Sequence, residues 1–505
     1  MLVSGKETNL MNKIRLYSVC FLRAARVLVS IAAAGAVSAV IAEQPQFKAG
    51  FARSDITPAV GTPIPGYYSK RLMSGALDPL EASAIAVSDG KKTALIIALD
   101  TISTDTRATK VITDAVGAAT GLPAEAMFIH SSHTHTGGST RHVVNSSVGI
   151  TEVELPAIEA YTRLLAERTA EAAKAAVADL APAKIAVGRT NLDRHAFIRR
   201  YRMKDGSVRT NPGVENPEVA GPIGSPDTMV QVVRFKRALP KKEIVVVNFQ
   251  NHPDVIGGFK VSADWPGFVR RTVEAALDGV NCLFVNGAQG DTNHIIVDPR
   301  PGERMGDIFD PRDEGVRYCN SRNMGVMVAG AALTVWGRCA PVEAGAVNYA
   351  IRNVRTPSNR PKPEEMELAR KYAKAHAEGR RHEIPAKDME YTTLVADAAR
   401  KIRLEHGPDF LNLPVSAVTV GDTLAFAGFP GEPFTEIGLR VKSGSSFRMT
   451  MVACTTNGSN GYFPVKTAFD EGGYEARTSS YTGAVADDLC NGQLSLLRSL
   501  KTSGK

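Results

Sequence analysis

The sequence predicts an α/β fold of mixed sheets and helices, with a metal site at the carboxyl ends of the strands. Strand-like and helix-like segments alternate along most of the chain, and metal-capable or polar side chains follow five of the strand-like segments. Ligands of α/β sheets bind outside the carboxyl ends of strands, so these five ends are expected to meet at one site. The chain has 505 residues, of which 44% are hydrophobic, which suffices for a large core.

Apolar and amphipathic patterns place the predicted elements along the chain. Strands are predicted at 92–100, 127–131, 229–235, 244–249, 282–285, 423–427 and 449–453. Helices are predicted at 110–120 and at 156–180, and a further helix that runs through Ala276 is expected after Asp264. The segment 355–385 is rich in Pro, Lys, Arg and Glu and predicts an exposed helical insertion.

Residues 1–42 have the pattern of an export signal. Five basic residues and one acid precede or border an alanine-rich apolar run over 27–41, and small residues stand at Ala39 and Ala42. The run is too short and too rich in alanine to favour a permanent transmembrane helix, although an uncleaved anchor is the alternative. We therefore predict cleavage after Ala39 or Ala42 and a periplasmic or secreted protein, in which 43–505 form a single domain.

Charge and cysteine content exclude two kinds of site. The formal net charge is +8, but residues 1–42 carry half of it, so the rest is too weakly basic to predict a nucleic-acid partner. Five cysteines remain beyond that segment without Cys-x-x-Cys spacing, so a zinc–thiolate site is not expected. The sequence leaves open whether one or two disulfides form in an oxidising compartment, and it does not predict which cysteines would pair.

The stretch FIHSSHTHTGG delivers three histidines at the end of an apolar run. His130, His133 and His135 lie within six residues there, where a strand would carry imidazoles to the rim of a sheet. Four other strand candidates end similarly, at His252, at Gly290-Asp-Thr-Asn293, at Glu432 and at Asn457-Gly-Ser-Asn-Gly-Tyr462. A lone polar residue after a strand is usually structural, but the joint occurrence favours a metal site.

These residues also carry a family resemblance. The chain resembles the neutral/alkaline ceramidases, zinc-dependent amidases that cut the N-acyl bond of ceramide. The resemblance covers roughly residues 48–500 and is carried by SDITP, HTHTGG, a strand ending in His252 followed by SADWPG, NGAQGDTN, FPGEP, and NGYFP followed by GGYEA. The immunoglobulin-like domain that longer members have after the catalytic part is not expected in this chain.

The resemblance implies a zinc site. Its Zn²⁺ ligands would be His133, His252, Glu432 and Tyr462, with His135 beside the metal. Two neutral imidazoles, a carboxylate and a phenol oxygen suit Zn²⁺ and leave a place for water. Tyr474 is the alternative to Tyr462, and His135 is the alternative to His133, since two residues two apart on extended chain would point to the same face.

The predicted reaction is metal-assisted hydrolysis. His135 or Asp264 would handle a proton, and Asp291, Thr292 and Asn293 would complete the catalytic set, with Arg199-Arg200 as a further candidate for holding the substrate. Asp264 has a structural alternative as the cap of a helix, and Asp291 has one in ordering its glycine-rich turn.

One departure from the family pattern concerns the substrate. Family members carry GDxSPN, whose serine has been assigned a catalytic or positioning role, whereas this chain reads Gly290-Asp-Thr-Asn-His294. We predict zinc-dependent hydrolysis of an N-acyl amide in a small amphiphilic or N-acyl substrate, with peripheral membrane contact left open and no oligomeric state assigned. The alternatives are a zinc-dependent esterase, lactonase or phosphoesterase, and an exported binding protein with a degenerate pocket.

Overall fold

The computed structural model describes residues 46–301, 303 and 314–501, so the predicted export signal lies outside it. The helices are α1 (Thr106–Thr120), α2 (Leu155–Ala178), α3 (Asp264–Ala276), α4 (Glu314–Trp336), α5 (Met366–Ala377), α6 (Asp388–Leu404), α7 (Thr435–Gly444), α8 (Lys466–Glu471), α9 (Tyr474–Thr478) and α10 (Val485–Leu500).

The strands are β1 (Lys48–Asp55), β2 (Gly75–Ala76), β3 (Glu81–Ser88), β4 (Thr93–Leu99), β5 (Met127–Ser131), β6 (Ala181–Asn191), β7 (Phe197–Ile198), β8 (Arg200–Met203), β9 (Val208–Thr210), β10 (Val219–Pro222), β11 (Met229–Arg237), β12 (Glu243–Phe249), β13 (Lys260–Val261), β14 (Val280–Asn286), β15 (Thr292–Asn293), β16 (Ala340–Val342), β17 (Val347–Pro357), β18 (Phe410–Val420), β19 (Leu424–Gly428), β20 (Glu432–Pro433), β21 (Met449–Ala453) and β22 (Tyr462–Phe463).

A large mixed sheet forms the first layer of the core. Its strand order is β14-β12-β11-β6-β1-β3-β4-β5, and β16 also pairs with β6. The pairs β12 with β14 and β4 with β5 are parallel, whereas the other neighbours are antiparallel. The α/β fold of mixed sheets and helices that the sequence predicts is therefore confirmed.

A second sheet, in the order β17-β18-β19-β21, faces the first. One core cluster joins them, since Phe128 and Leu283 of the large sheet share it with Phe426 and Met451 of the smaller one. Helices α1 and α2 pack on the outer face of the large sheet at one end and α3 and α4 at the other, while α7 and α10 cover the smaller sheet. The result is four layers, helix, sheet, sheet and helix, in which apolar burial provides the main stabilisation.

The parallel pairs bring the predicted strand ends together. Strands β5, β12, β14, β19 and β21 have their carboxyl ends on the same side, where backbone hydrogen bonds tie Asn286 to Cys454 and Ile129 to Asn457. The isolated bridge between His130 and Thr456 joins the ends of β5 and β21 in the same place. The site described below lies at these carboxyl ends, as predicted.

Element boundaries differ from the predictions where side chains outside the periodic pattern decide them. Helix α1 begins four residues before the predicted start, because the Asp105 carboxylate accepts a hydrogen bond from the Ala108 amide at 2.8 Å and caps it. The segment 355–385 contains helix α5, but its first residues continue β17 to Pro357, paired along the full length of β18.

Two further properties bear on the sequence predictions. No helix within 46–301 and 314–501 is long and apolar enough to cross a membrane. The five cysteines beyond the predicted signal are free thiols, so the disulfides that the sequence left open do not form among them. The described residues from Phe47 onward form one unit, and the predicted domain boundary at residue 43 stays a prediction.

Candidate metal centre and active site

Three histidines converge at the carboxyl ends of β5 and β12. The possible ligand atoms of His133, His135 and His252 all lie within 4.8 Å of one another, and the three side chains are buried. Glu432 joins them, because its Oε2 lies 3.3 Å from Nε2 of His133 and 3.4 Å from Nε2 of His252. Three imidazoles and one carboxylate therefore share one buried point, and we call them the metal group.

The chain turns sharply to deliver two of these histidines. His133 has φ of +73°, a left-handed conformation that costs a residue with a Cβ and commonly occurs at functional sites. Its amide donates to the Thr101 carbonyl, and the His135 amide donates to the Pro253 carbonyl. This turn brings both imidazoles to the metal group. The sequence suggested a different reason, namely that residues two apart on extended chain point to the same face.

Backbone carbonyls orient His133 and His252 for a metal. The Nδ1 atom of His133 lies 2.8 Å from the Ile102 carbonyl oxygen, and that of His252 lies 3.1 Å from the Gln289 carbonyl oxygen. A carbonyl only accepts, so in the neutral imidazole Nδ1 carries the proton and Nε2 keeps a lone pair. Both Nε2 atoms face Glu432, which is the arrangement that metal-binding histidines use.

His135 has no such orienting bond. Within the described part of the chain neither of its ring nitrogens has a hydrogen-bond partner, although both are buried. A Cβ on Gly66 would lie 2.7 Å from Nδ1 of His135, so only glycine leaves room for the ring there. The Arg71 guanidinium donates to the His135 carbonyl at 2.8 Å and holds the backbone. Orphaned buried nitrogens beside two oriented imidazoles fit a metal ion or a reacting molecule.

Electrostatics sets the protonation states that metal binding requires. Burial lowers the pKa of His135 to about 3 and the pKa of His252 well below its ordinary value, so both rings are neutral. Burial would raise the pKa of Glu432, but the neighbouring His133, His252 and Arg199 outweigh it and hold that pKa well below its usual range. Neutral imidazoles and an ionised carboxylate are the forms that bind a metal.

Tyr462 lies on the strand next to Glu432. The two residues are register partners in the parallel pair of β20 and β22, so their side chains leave the same face. The Arg199 guanidinium carbon lies 5.3 Å from the centre of the Tyr462 ring. Burial raises the pKa of Tyr462 well above its ordinary value. The Tyr474 ring meets the Tyr462 ring edge to face, with 5.6 Å between their centres, and the Tyr474 hydroxyl lies 3.5 Å from that of Tyr68. Tyr462, as the register partner of Glu432, is therefore favoured over Tyr474 as the residue beside the metal group.

Asp264 lies at the start of α3, where its carboxylate is held by three hydrogen bonds. Its carboxylate accepts hydrogen bonds from the Ile256 amide at 3.0 Å, from the Trp265 amide at 2.6 Å and from the Ser321 hydroxyl at 2.6 Å. Burial raises its pKa to about 6. The helix cap that the sequence offered as the structural alternative is not formed, because Ala263 is the N-cap of α3 and no side chain caps it. Asp264 is instead the first residue of α3, with φ of +53°. Its catalytic role stays a prediction.

The side chains of the residues after β14 also have hydrogen-bond partners within the fold. The Asp291 carboxylate accepts from the Thr435 amide at 2.7 Å, at the start of α7. The Thr292 hydroxyl donates to a carbonyl of its own turn at 3.3 Å, and the Asn293 side chain donates to Asn211 at 2.7 Å. Among the described residues that line the cavity below, Asp264, Asp291, Thr292 and Asn293 do not occur, so their catalytic roles stay predictions.

A cavity of about 800 Å³ opens onto the metal group. His133, His135, Glu432 and Tyr462 line it, and so do apolar side chains: Ile64, Val143, Val144, Ile150, Leu404 and Leu411. A volume of this size holds a small-molecule substrate with an aliphatic chain. The metal-capable residues are therefore accessible to a ligand although they are buried.

Sequence reasoning missed three residues that support the site. Gln289 donates to Glu432 Oε2 at 3.3 Å. Glu475 forms an ion pair with Arg199, with Oε1 2.6 Å from Nε, and Arg71 holds the backbone of His135. Gln289 and Glu475 lie inside the quoted motifs NGAQGDTN and GGYEA, but which group each one meets is decided by the packing of distant strands.

His130 lies outside the metal group and joins three strands. Its Nδ1 lies 2.8 Å from the Cys454 carbonyl oxygen, and its Nε2 accepts from the Asn286 amide at 2.9 Å. A second ring proton, on Nε2, would point at the Asn286 N–H and cannot be accommodated. Burial lowers the pKa of His130 to about 4. His130 therefore acts as a structural residue that links β5 to the ends of β14 and β21.

This depressed pKa predicts an acid-dependent loss of stability. Between about pH 6.5 and pH 4 the unfolded chain binds a proton at His130 that the folded chain refuses, so stability falls as the pH falls. We expect His130 to contribute about 3 kcal/mol to that loss. Urea unfolding of chelator-treated protein at pH 7 and pH 4 measures it, and His130→Gln should show a shallower dependence than the wild type. The exposed His382→Gln is the matched control, and equal slopes for His130→Gln and wild type would exclude the assignment.

Solved structures of known proteins share this fold. Neither a protein-family model nor a curated protein matches the chain. A crystal structure of neutral ceramidase from Pseudomonas aeruginosa matches with a TM-score of 0.67 and 17% sequence identity, over 92% of this chain and 76% of that chain. A ceramidase complexed with C2 matches with a TM-score of 0.65 and 16% identity, over 91% and 77%. The chain therefore has the fold of the neutral ceramidases.

Proposed function

We propose that the protein is a zinc-dependent hydrolase of an N-acyl amide bond. The observation that carries the proposal is the metal group itself: three buried imidazoles and a carboxylate meet beside a phenol in a cavity of about 800 Å³. The fold shared with neutral ceramidases supports the same class of reaction. Export, as residues 1–42 predict, would place the enzyme in the periplasm or outside the cell.

His133, His252, Glu432 and Tyr462 would hold the zinc ion. The two histidines present oriented Nε2 atoms, Glu432 is ionised and within 3.4 Å of both, and Tyr462 is its register partner. This donor set is one that zinc accepts. Bound zinc supplies Lewis acidity, which polarises a carbonyl and lowers the pKa of water to about 7.

The other side chains position the substrate and move the proton. His135 lies beside the proposed zinc ligands and has two unengaged ring nitrogens, so it would be the residue that accepts a proton from water and returns it to the leaving amine. Arg199, next to the Tyr462 ring, adds a fixed positive charge.

We expect turnover of short N-acyl amines and poor turnover of long-chain ceramide. Thr292 and Asn293 stand in place of the family's serine. Both are fully buried, and their side chains are hydrogen-bonded to Gln289 and Asn211. Loss of one positioned hydrogen bond typically costs about 10²–10³ in rate, so kcat/KM for ceramide should be lower by about that factor. A panel of ceramide, short N-acyl amines and simple esters, with His133→Ala as the blank, measures it.

Each arm of the panel has a distinct meaning. Efficient zinc-dependent cleavage of ceramide would show that the missing serine matters little in this chain. Ester cleavage without amide cleavage would favour the esterase alternative. No cleavage of any member by protein that holds zinc would overturn the amidase proposal and favour a binding protein.

A further inference from the structure

The cavity is lined by more basic than acidic side chains. Among the described residues around it, the two acids already have partners. Glu432 belongs to the metal group, and Asp105 caps α1. The basic side chains that line the cavity are Lys70, Arg71, Arg141, Arg400 and Arg403. This excess of positive charge surrounds the space in which a substrate would lie.

Three of these basic groups have partners in the fold. Arg400 pairs with Asp397 at 2.8 Å, and Lys70 pairs with Glu154 at 3.0 Å. Arg71 lies over the ring of Tyr67, at 4.2 Å, and donates to backbone carbonyls. These contacts within the fold account for the three basic side chains, so none of them requires a bound ligand as a partner.

Arg141 and Arg403 differ from the other three. Across 46–301 and 314–501, neither has a carboxylate oxygen within 4.0 Å of its guanidinium. Arg403 donates a hydrogen bond to the Ser480 hydroxyl at 2.9 Å. Both side chains are exposed to solvent at the edge of the cavity. Partial desolvation, followed by the charge of Arg141, lowers the pKa of Arg403. Two neighbouring cations without an anion repel each other, and a bound anion would relieve that repulsion.

A line of phenols connects these two arginines to the metal group. Tyr68 lines the cavity together with Arg141 and Arg403, and its hydroxyl lies 3.5 Å from that of Tyr474. The Tyr474 ring is 5.6 Å from that of Tyr462, the register partner of Glu432. All three tyrosines line the same cavity, so a molecule lying along them would reach from the metal group to the arginines.

We propose, on the basis of the amidase function above, that the substrate is an anionic N-acyl amphiphile. Its amide lies at the metal group, its aliphatic chain lies among the apolar lining residues, and its acid group pairs with Arg141 and Arg403. Guanidinium groups bind carboxylate, sulfonate and phosphate oxygens through paired N–H donors. A neutral ceramide offers no partner for these charges.

Matched amides test the proposal. N-Lauroyl-β-alanine and N-lauroyltaurine carry acids, whereas N-lauroyl-3-aminopropanol has the same acyl chain and no charge. We expect the wild type to prefer both acids in kcat/KM. The double variant Arg141→Gln/Arg403→Gln should lower the ratio of acid to neutral turnover by roughly 10-fold per arginine. Arg141→Lys/Arg403→Lys should recover part of the ratio, and Arg168→Gln, in an exposed pair with Glu171, should leave it unchanged.

Calorimetric binding of the same three amides separates this proposal from the amidase function. Tighter binding of the acids, lost in the Gln double variant, would support the anionic substrate even if no amide were cleaved, in which case the amidase proposal fails alone. Equal binding and equal turnover of acid and neutral amides by the wild type would overturn the inference. An equal loss for all three amides in the Gln double variant would also overturn it, because it would indicate general damage to the cavity.

Discussion

The variant His252→Ala is expected to lower the zinc content from about one ion per chain to near zero and kcat/KM on the order of 10³-fold. His252 is fully buried, and its Nε2 is held towards Glu432 by the bond between its Nδ1 and the Gln289 carbonyl. Removal of the ring deletes one oriented donor and leaves the Glu432 carboxylate with one imidazole fewer beside it. Elemental analysis and steady-state assays of the same preparations measure both effects.

The control for His252→Ala is His382→Ala, which removes an exposed histidine far along the chain from the metal-group residues. It should keep both zinc and activity. Thermal unfolding of the His252→Ala protein should show a single cooperative transition, so that loss of metal is not mistaken for loss of fold. The metal hypothesis would be abandoned if untreated wild-type protein held no transition metal and His252→Ala had the same content.

Much of the core was predictable because its strands are short apolar runs. The predicted strands at 127–131 and 449–453 have the bounds of β5 and β21. The helix expected after Asp264 is α3, which ends at Ala276 as expected but already includes Asp264. Such segments are buried on both faces, so apolar composition alone marks them. Their order along the chain also indicated the α/β class.

Other elements carry too many polar residues to be marked by composition. Strand β17 reads VNYAIRNVRTP and pairs with β18 over its full length, yet Arg352 and Arg355 interrupt its apolar pattern. Its position is decided by pairing with a strand about 60 residues later in the sequence, and such long-range pairing overrides local preference. The predicted insertion 355–385 therefore begins within the last three residues of β17.

The candidate site was predictable in its members but not in its geometry. Strand ends supplied His133, His252, Glu432 and Tyr462, and the structure brings them together. The left-handed turn at His133, which also brings His135 to the metal group, could not be read from spacing. The partners of Asp264, Asp291, Thr292 and Asn293 belong to other segments or to their own turns, so a polar side chain near a strand end did not by itself indicate a position in the cavity.

The variant Glu475→Gln is expected to destabilise the protein by about 3–5 kcal/mol, because it leaves a buried cation without its anion. Arg199 is 5% exposed and Glu475 is fully buried, and their charged atoms lie 2.6 Å apart. Glu475 also accepts a hydrogen bond from the Thr210 hydroxyl at 2.9 Å. Urea unfolding at pH 7 measures the loss. Glu171→Gln, in the exposed pair with Arg168, is the matched control and should change stability little.

The same pair links stability to the proposed reaction, since Glu475 holds the guanidinium that lies next to Tyr462. In a double-mutant cycle, Glu475→Gln with Arg199→Met should be less destabilised than the sum of the single variants, because the second change removes the unpaired charge. If Arg199 assists at the metal group, kcat of the folded Glu475→Gln fraction should also fall while KM changes less. A loss of stability no greater than that of Glu171→Gln would refute the buried-pair argument, and unchanged kcat would restrict the pair to a structural role.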